Sequence, residues 1–145
     1  MNQGTQRDIT RNQSAFDVSH RHIFLFDNRY ADTTFRNNTA GELTLEPGSL
    51  VLRDTGDATK VIPAITGATL ADVIGIVSIE SSIVLAAGEE ANITYCFSGT
   101  VNKDYLVLPG ADTLETLVGN KTVSDILQAL GLDLQGSTEH TKFDN

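Results

Sequence analysis

The sequence predicts a mainly β fold: a small single-domain β-barrel or β-tulip-like body with an extended N-terminal arm and a short C-terminal helix. Three observations predict it. Between Gly41 and Phe97, short apolar runs (LTL, LVL, VIGIVSI, IVL) are separated by turn chemistry. Ile93, Tyr95 and Phe97 alternate with Asn92, Thr94 and Cys96, a period of two that places the three large residues on one sheet face. After Tyr105 the period changes, and Val123, Ile126, Leu127 and Leu130 form a helical stripe. A chain of 145 residues can bury one sizeable core, whereas two domains would each be marginal. The expected division is an arm over 1–19, a β-rich domain over 20–135 with a helix near 122–130, and a polar tail over 136–145.

Residues 1–14 (MNQGTQRDITRNQS) carry one large aliphatic side chain, Ile9, and are expected to gain order only from a partner. The run HRHIFLFD over 20–27 is dense in apolar residues without alternation, which suits a strand covered on both sides. Asp27-Asn28 is turn chemistry, so a second strand is expected to resume over Tyr30–Arg36. Glu42–Leu45 and Leu50–Arg53 flank the tight turn Glu46-Pro47-Gly48 and are expected to pair as a hairpin. Pro63 lacks an N–H for a central ladder and points to an edge or irregular strand. Gly75, inside VIGIVSI, marks a bulge or a close backbone approach. Ala87-Gly88-Glu89-Glu90 turns the chain into Ala91–Phe97, and Tyr105–Leu108 is expected as a last strand, stopped by Pro109-Gly110. Thr122 and Asp125 have the spacing of a capping box, and Gly131 sits where a left-handed residue ends a helix. About two turns of helix cannot hold themselves in water, so this one must pack on the β body or on a neighbour. No internal repeat with a period of 20–50 residues is visible in the residues.

The formal charge of -9 is unevenly distributed. Residues 1–36 hold five arginines against four aspartates, a net of +1, and the rest holds five basic and fifteen acidic groups, a net of -10. So acidic a body repels nucleic acid and anionic membrane. An arm with spaced arginines can lie against an acidic surface. No apolar window approaches the ~20 residues of a membrane span. Cys96 stands alone, which excludes an intrachain disulfide and suits a small packed side chain better than a reactive thiol. With no N-terminal apolar segment, synthesis in a cytoplasm is expected.

Chemistry is sparse. Asp17, His20 and His22 form D-x-x-H-x-H, the one cluster with the look of a metal site. On a strand, His20 and His22 would share a face about 6.6 Å apart, and imidazole with carboxylate is zinc or iron chemistry. Further ligands are not at hand, and structural or solvent-facing histidines are the preferred reading, so no metal and no cofactor is expected. No G-x-S-x-G motif is present, Glu89-Glu90 reads as a solvated hairpin tip, and the glycines are too isolated to cradle phosphate. No catalytic residue is assigned and an enzyme is not expected. A small β body with a polar arm and a helix in need of docking has the form of an assembly component, in which an extended segment can add a strand to a neighbour's sheet.

The stretch LEPGSLVLRD over 45–54, followed by a polar loop and by ATLADVIGIVSI and the strand to Phe97, resembles the head-decoration proteins of tailed bacteriophages, the family of the lambda capsid-stabilising protein. Ala71 to Gly75 matches the approach to that family's central strand, and the likeness spans about residues 40–97. The chain departs from the family in its long first segment and after Tyr105. The resemblance implies a virion protein on the capsid exterior, made in the bacterial host cytoplasm, that binds the major capsid protein as a homotrimer or other homo-oligomer. It implies an arm, here part of 2–26, that adds a strand to a capsid-protein sheet. Arg11, Arg21, Ile23, Phe24, Leu25 and Phe26 are the residues expected to touch the shell or neighbouring subunits, without nucleic acid or membrane. Alternatives that share these features are a head-fibre, neck or tail component, or a small metal-binding β-barrel module or enzyme.

Overall fold

A computed structural model describes residues 22–136. Its strands are β1 (Phe24–Arg36), β2 (Leu43–Leu45), β3 (Leu50–Arg53), β4 (Lys60–Pro63), β5 (Val73–Ser78), β6 (Ile83–Leu85), β7 (Glu90–Asn102), β8 (Leu117–Val118), β9 (Lys121–Thr122) and β10 (Leu132–Gln135), with one α-helix, α1 (Val123–Leu130), between β9 and β10. Six strands form a mixed sheet in the order β1-β4-β3-β5-β7-β10, β1 also pairs with β7, and β2-β6 and β8-β9 stand apart as two-stranded ribbons.

The expected β-barrel or β-tulip-like body is corrected by this topology. β1 and β7 each run 13 residues, far longer than their other partners, β4 and β10 at 4 residues and β5 at 6. β4 pairs with β1 only at Thr34 and Phe35. β7 pairs with β5 through Cys96 and then, from Gly99 onward, with β10 in parallel. The long strands outrun their partners, β10 ends the sheet, and the sheet does not close into a barrel.

The run at 20–27, expected as a strand covered on both sides, is not one: His22–Ile23 are helical, and Phe26 is half exposed. The doubly covered strands are the central ones. Leu50, Leu52, Ile62, Ile76 and Cys96 face one buried cluster, which α1 completes with Val123 and Leu127. Val51, Val61, Val77, Ile93 and Tyr95 face the other, together with Phe35, Leu45 and Leu85. Val123 and Leu127 are fully buried, each stabilising the docked helix by about 1.5–3 kcal/mol. The Thr122–Asp125 capping box is formed in both directions and Gly131 takes a left-handed φ of 107°. Leu130, at the end of the apolar stripe, remains exposed.

Local turn chemistry is used differently from expectation in three places. Asp27-Asn28 does not turn the chain. β1 is continuous, and Asp27 (φ 53°) sits in an irregularity between Phe26 and Tyr30 opposite Gly99. Pro63 is not on an edge strand, since β4 lies between β1 and β3, but it falls beyond the two residues that pair with β1 and needs no N–H there. Tyr105–Leu108 forms no strand, only a single parallel bridge from Val107 to Ser49. At Gly75 the close approach is real: a Cβ there would lie 2.5 Å from the Tyr95 ring and 2.6 Å from the Cys96 carbonyl.

The turn at Pro47-Gly48 likewise makes no hairpin. β2 leaves β3 and pairs with β6, and the same event recurs forty residues later, from Leu45 to Leu85 in the chain. Glu46 accepts from Ser49 N–H at 3.2 Å, and Ala86 accepts from Glu89 N–H at 3.0 Å. Gly48 N–H donates to Val77 and Val77 N–H to Ser49, at 3.0 and 2.8 Å. Gly88 N–H donates to Asn37 and Asn37 N–H to Glu89, at 2.7 and 2.9 Å. The register follows suit: Val51 opposes Gly75, and Ala91 opposes Phe35. The end of β1 with β2 and β3, and β5 with β6 and β7, are therefore two copies of one βββ unit around a pseudo-two-fold through the β2-β6 ribbon. A repeat of this kind corrects the expectation of none. It was invisible in sequence because the two corners, LTLEPGSLVLR and IVLAAGEEANI, share little besides one leucine and one glycine.

Candidate functional site

The segment singled out in sequence passes from helical residues at 22–23 into the first strand at Phe24. Ile23 and Phe24 are buried in the domain core at 2% and 8% exposure, Leu25 is half-buried, and Phe26 is 51% exposed. Tyr30 follows at 44% exposure, its ring edge-on to Phe24 with centroids 5.7 Å apart. Arg11, Asp17, His20 and Arg21 lie outside the described residues. His22 is exposed, with its ring 5.9 Å from that of Tyr105.

Between Leu25 and Asp32, β1 pairs with β7 on one side, and no strand among the described residues pairs with its other edge. The irregularity at Asp27–Arg29 is pinned from within: Asn28 Nδ2 donates to the Thr100 carbonyl at 3.0 Å and to Cys96 Sγ at 3.7 Å. Gly99 must be glycine here, since its φ is 119° and a Cβ would lie 2.7 Å from Asn28 Cα. Among the described residues the strand is thus a rail unpaired along one side, with two aromatic side chains exposed along it.

Cys96 is fully buried behind this rail and its Sγ lies 3.1 Å from the Ser98 carbonyl. Burial pushes its thiol above the usual range, against the hydrogen bonds from Asn28 and from the Ser98 and Arg29 backbone that act the other way. A protonated, enclosed thiol is a poor nucleophile. Tyr30 is likewise raised, by burial first and then by proximity to Cys96.

Two surface hollows have the size of a small-molecule site. One, of about 540 Å³, is lined by Asp32, Thr34, Asn92 and Thr94, whose polar groups bond one another: Thr94 to Asp32 at 2.8 Å and Thr34 to Asn92 at 3.3 Å. The other, of about 360 Å³, is apolar and runs between β2 and Pro63–Thr66, with Val107 and Leu108 on its wall. Neither brings together a nucleophile and a base. Among the described residues no group of three or more histidines, cysteines or carboxylates converges as a metal site would need, and no helix is long and apolar enough to cross a membrane.

Sequence reasoning missed the open rail, because whether a strand edge is covered depends on partners far along the chain. The only local signal was the Asp27-Asn28 pair, which read as a turn. No protein-family model matches this chain, and no curated protein matches its sequence.

Proposed function

We propose that this protein is a structural component of a bacteriophage virion, a capsid decoration or auxiliary protein that binds the major capsid shell and performs no reaction. The observation that carries the reading is the open edge of β1 over Leu25–Asp32, which follows directly on the N-terminal segment and exposes Phe26 and Tyr30. An unpaired edge is a template for strand addition, and exposed aromatic side chains supply the apolar area. Each Å² buried against a shell subunit is worth about 25 cal/mol, and a protein that touches several subunits at once, or does so as a homotrimer or other homo-oligomer, multiplies the hold. The acidic body keeps such a protein off packaged nucleic acid. The resemblance over residues 40–97 supports the choice of a capsid over other assemblies.

The test is co-sedimentation of the full chain with expanded shells assembled from the major capsid protein of the same genome. Phe26→Asp, and separately removal of residues 1–19, is expected to weaken binding at least tenfold while circular dichroism stays that of the parent. Unchanged binding in both would overturn the reading.

A further inference from the structure

The free edge of β1 is bracketed. At one end Asp27, with a φ of 53°, breaks the ladder. At the other, β4 takes up pairing at Thr34, and the Thr33 hydroxyl donates to the Thr59 carbonyl. Between these ends residues 29–32 pair with β7 alone among the described residues. So short a stretch of unpaired backbone makes few ladder bonds, and its side chains must help decide what binds and in which register.

Successive side chains leave this stretch on opposite faces. Tyr30 opposes Cys96 and its ring lies edge-on to Phe24, so it belongs to the face of the cluster that the helix completes. Ala31 opposes Tyr95 and packs on the other cluster, and Arg29, two residues earlier, shares that face. Arg29 opposes Ser98, next to the exposed Phe97, whose ring stands 6.5 Å from that of Tyr95. The three described arginines are not alike. Arg36 is paired with Asp54, and Arg53 reaches the Tyr95 hydroxyl at 3.3 Å. Arg29 is exposed and its guanidinium pairs with no carboxylate among the described residues, in a chain whose formal charge is -9.

We infer that the segment added to β1 is an acidic amphipathic strand, with a carboxylate side chain opposite Arg29 on the Phe97 face and an apolar or aromatic side chain opposite Tyr30 on the other. This chemistry rests on reading the edge as the shell-binding site, and it states what the shell must offer there. A guanidinium and a carboxylate directly opposite on neighbouring strands stabilise the pairing, and an exposed aromatic ring gains from an apolar neighbour across the ladder. Arg29 also fixes the register. A slip of one residue sends the carboxylate to the Tyr30 face. A slip of two brings it to Ala31, where it loses its partner, or towards the exposed Asp27, where like charges repel. Asp32, exposed as well, disfavours a second carboxylate opposite itself.

The test is co-sedimentation of the full chain with shells of the major capsid protein from the same genome, with Phe26→Asp as the measure of the edge itself. Arg29→Glu is expected to weaken binding about tenfold at low salt and less in about 0.5 M salt, while Arg29→Lys, which keeps the charge, stays close to the parent. A photo-reactive benzoylphenylalanine in place of Tyr30 locates the contact. The shell peptide it captures is expected to hold an Asp or Glu within an alternation of polar and apolar residues, and changing that carboxylate to arginine should restore binding to Arg29→Glu. Loss of binding in Phe26→Asp with Arg29→Glu at the parent's level would keep the edge as the site and overturn the acidic partner. Parent-level binding in both would overturn the edge reading and the acidic partner with it. A captured peptide without a carboxylate, or one from a second copy of this chain, would also overturn the inference.

Discussion

The corner at Gly48 and the corner at Gly88 share one backbone and differ in what pins and covers them. Beneath the first lies Val77, fully buried and apolar. Beneath the second, in the same geometric place, lies Asn37, equally buried and polar. Asn37 Nδ2 donates to the carbonyls of Gly41, Leu85 and Ala86 at 2.9, 3.0 and 3.1 Å, and its Oδ1 accepts from Thr39 N–H at 3.0 Å. The first corner is held from outside by the Val107 N–H on the Gly48 carbonyl and needs only an apolar floor. The second has no such outer contact among the described residues and is held by a side chain that donates to its carbonyls from inside. A duplicated unit thus diverges where its surroundings differ, because each buried carbonyl must find a donor from one direction or another.

The largest expected effect sets the two glycines against each other. Gly48→Ala meets both a left-handed φ of 88° and the Tyr105 carbonyl, and is expected to cost about 2–5 kcal/mol in urea unfolding. Gly88→Ala meets only its φ of 79° and is expected to cost about 1–2 kcal/mol. Equal losses would show that the first corner is no better covered than the second.

Asn37→Ala, next in size, leaves the buried Leu85 carbonyl and the half-buried contacts of Gly41 and Ala86 short of a donor and is expected to cost about 1–3 kcal/mol. Hydrogen exchange localises it: the Gly88 amide, which donates to the Asn37 carbonyl, should exchange faster while the Gly48 amide is unmoved. Acceleration at both would mean that the two corners open together.

The smallest effect concerns Arg36, whose equivalent in the other unit is Ile76. Asp54 is 4% exposed, accepts the Gly56 N–H at 2.9 Å and pairs with Arg36 at 2.8 Å. Gly56 first and Arg36 second hold its carboxyl below the usual carboxylate range. A folded-state pKa below the unfolded one stabilises the fold above the ordinary carboxylate pKa, and that contribution is lost as pH falls through the folded value. Chemical unfolding at successively lower pH should therefore show stability declining through the acid range, and Asp54→Asn should flatten the decline. A decline of the same slope in Asp54→Asn would place the acid sensitivity elsewhere.

Much of the domain was legible before any coordinates because it is written in neighbouring residues. The capping box at Thr122–Asp125, the left-handed Gly131, the tight turn at Pro47-Gly48 and the close approach at Gly75 each depend on a few adjacent side chains. Double cover was misplaced: it was expected at 20–27, where Phe26 is exposed, and it falls on the central strands instead. Pairing was not. Nothing local tells β2 to prefer β6 over β3, since a Pro-Gly turn serves a hairpin and a corner equally well. Asp27-Asn28 reads as a turn because αL propensity is shared by turns and bulges, and only Gly99, some seventy residues away and opposite it, selects the bulge. The candidate site was legible only as an apolar run at 23–26; that Ile23 and Phe24 belong to the core and Phe26 to the surface depends on which side the core lies.

The sequence by itself determined that this is a β-rich domain with a short capped helix, that the chain turns at Pro47-Gly48, and which residues are apolar enough to be buried, because propensity and capping act over a few residues. The tertiary structure alone decided that the sheet stays unclosed, that one edge of β1 is unpaired among the described residues, and that two unlike stretches forty residues apart fold as one repeated unit. Those outcomes follow from strand lengths and hydrogen-bond partners that meet only in space.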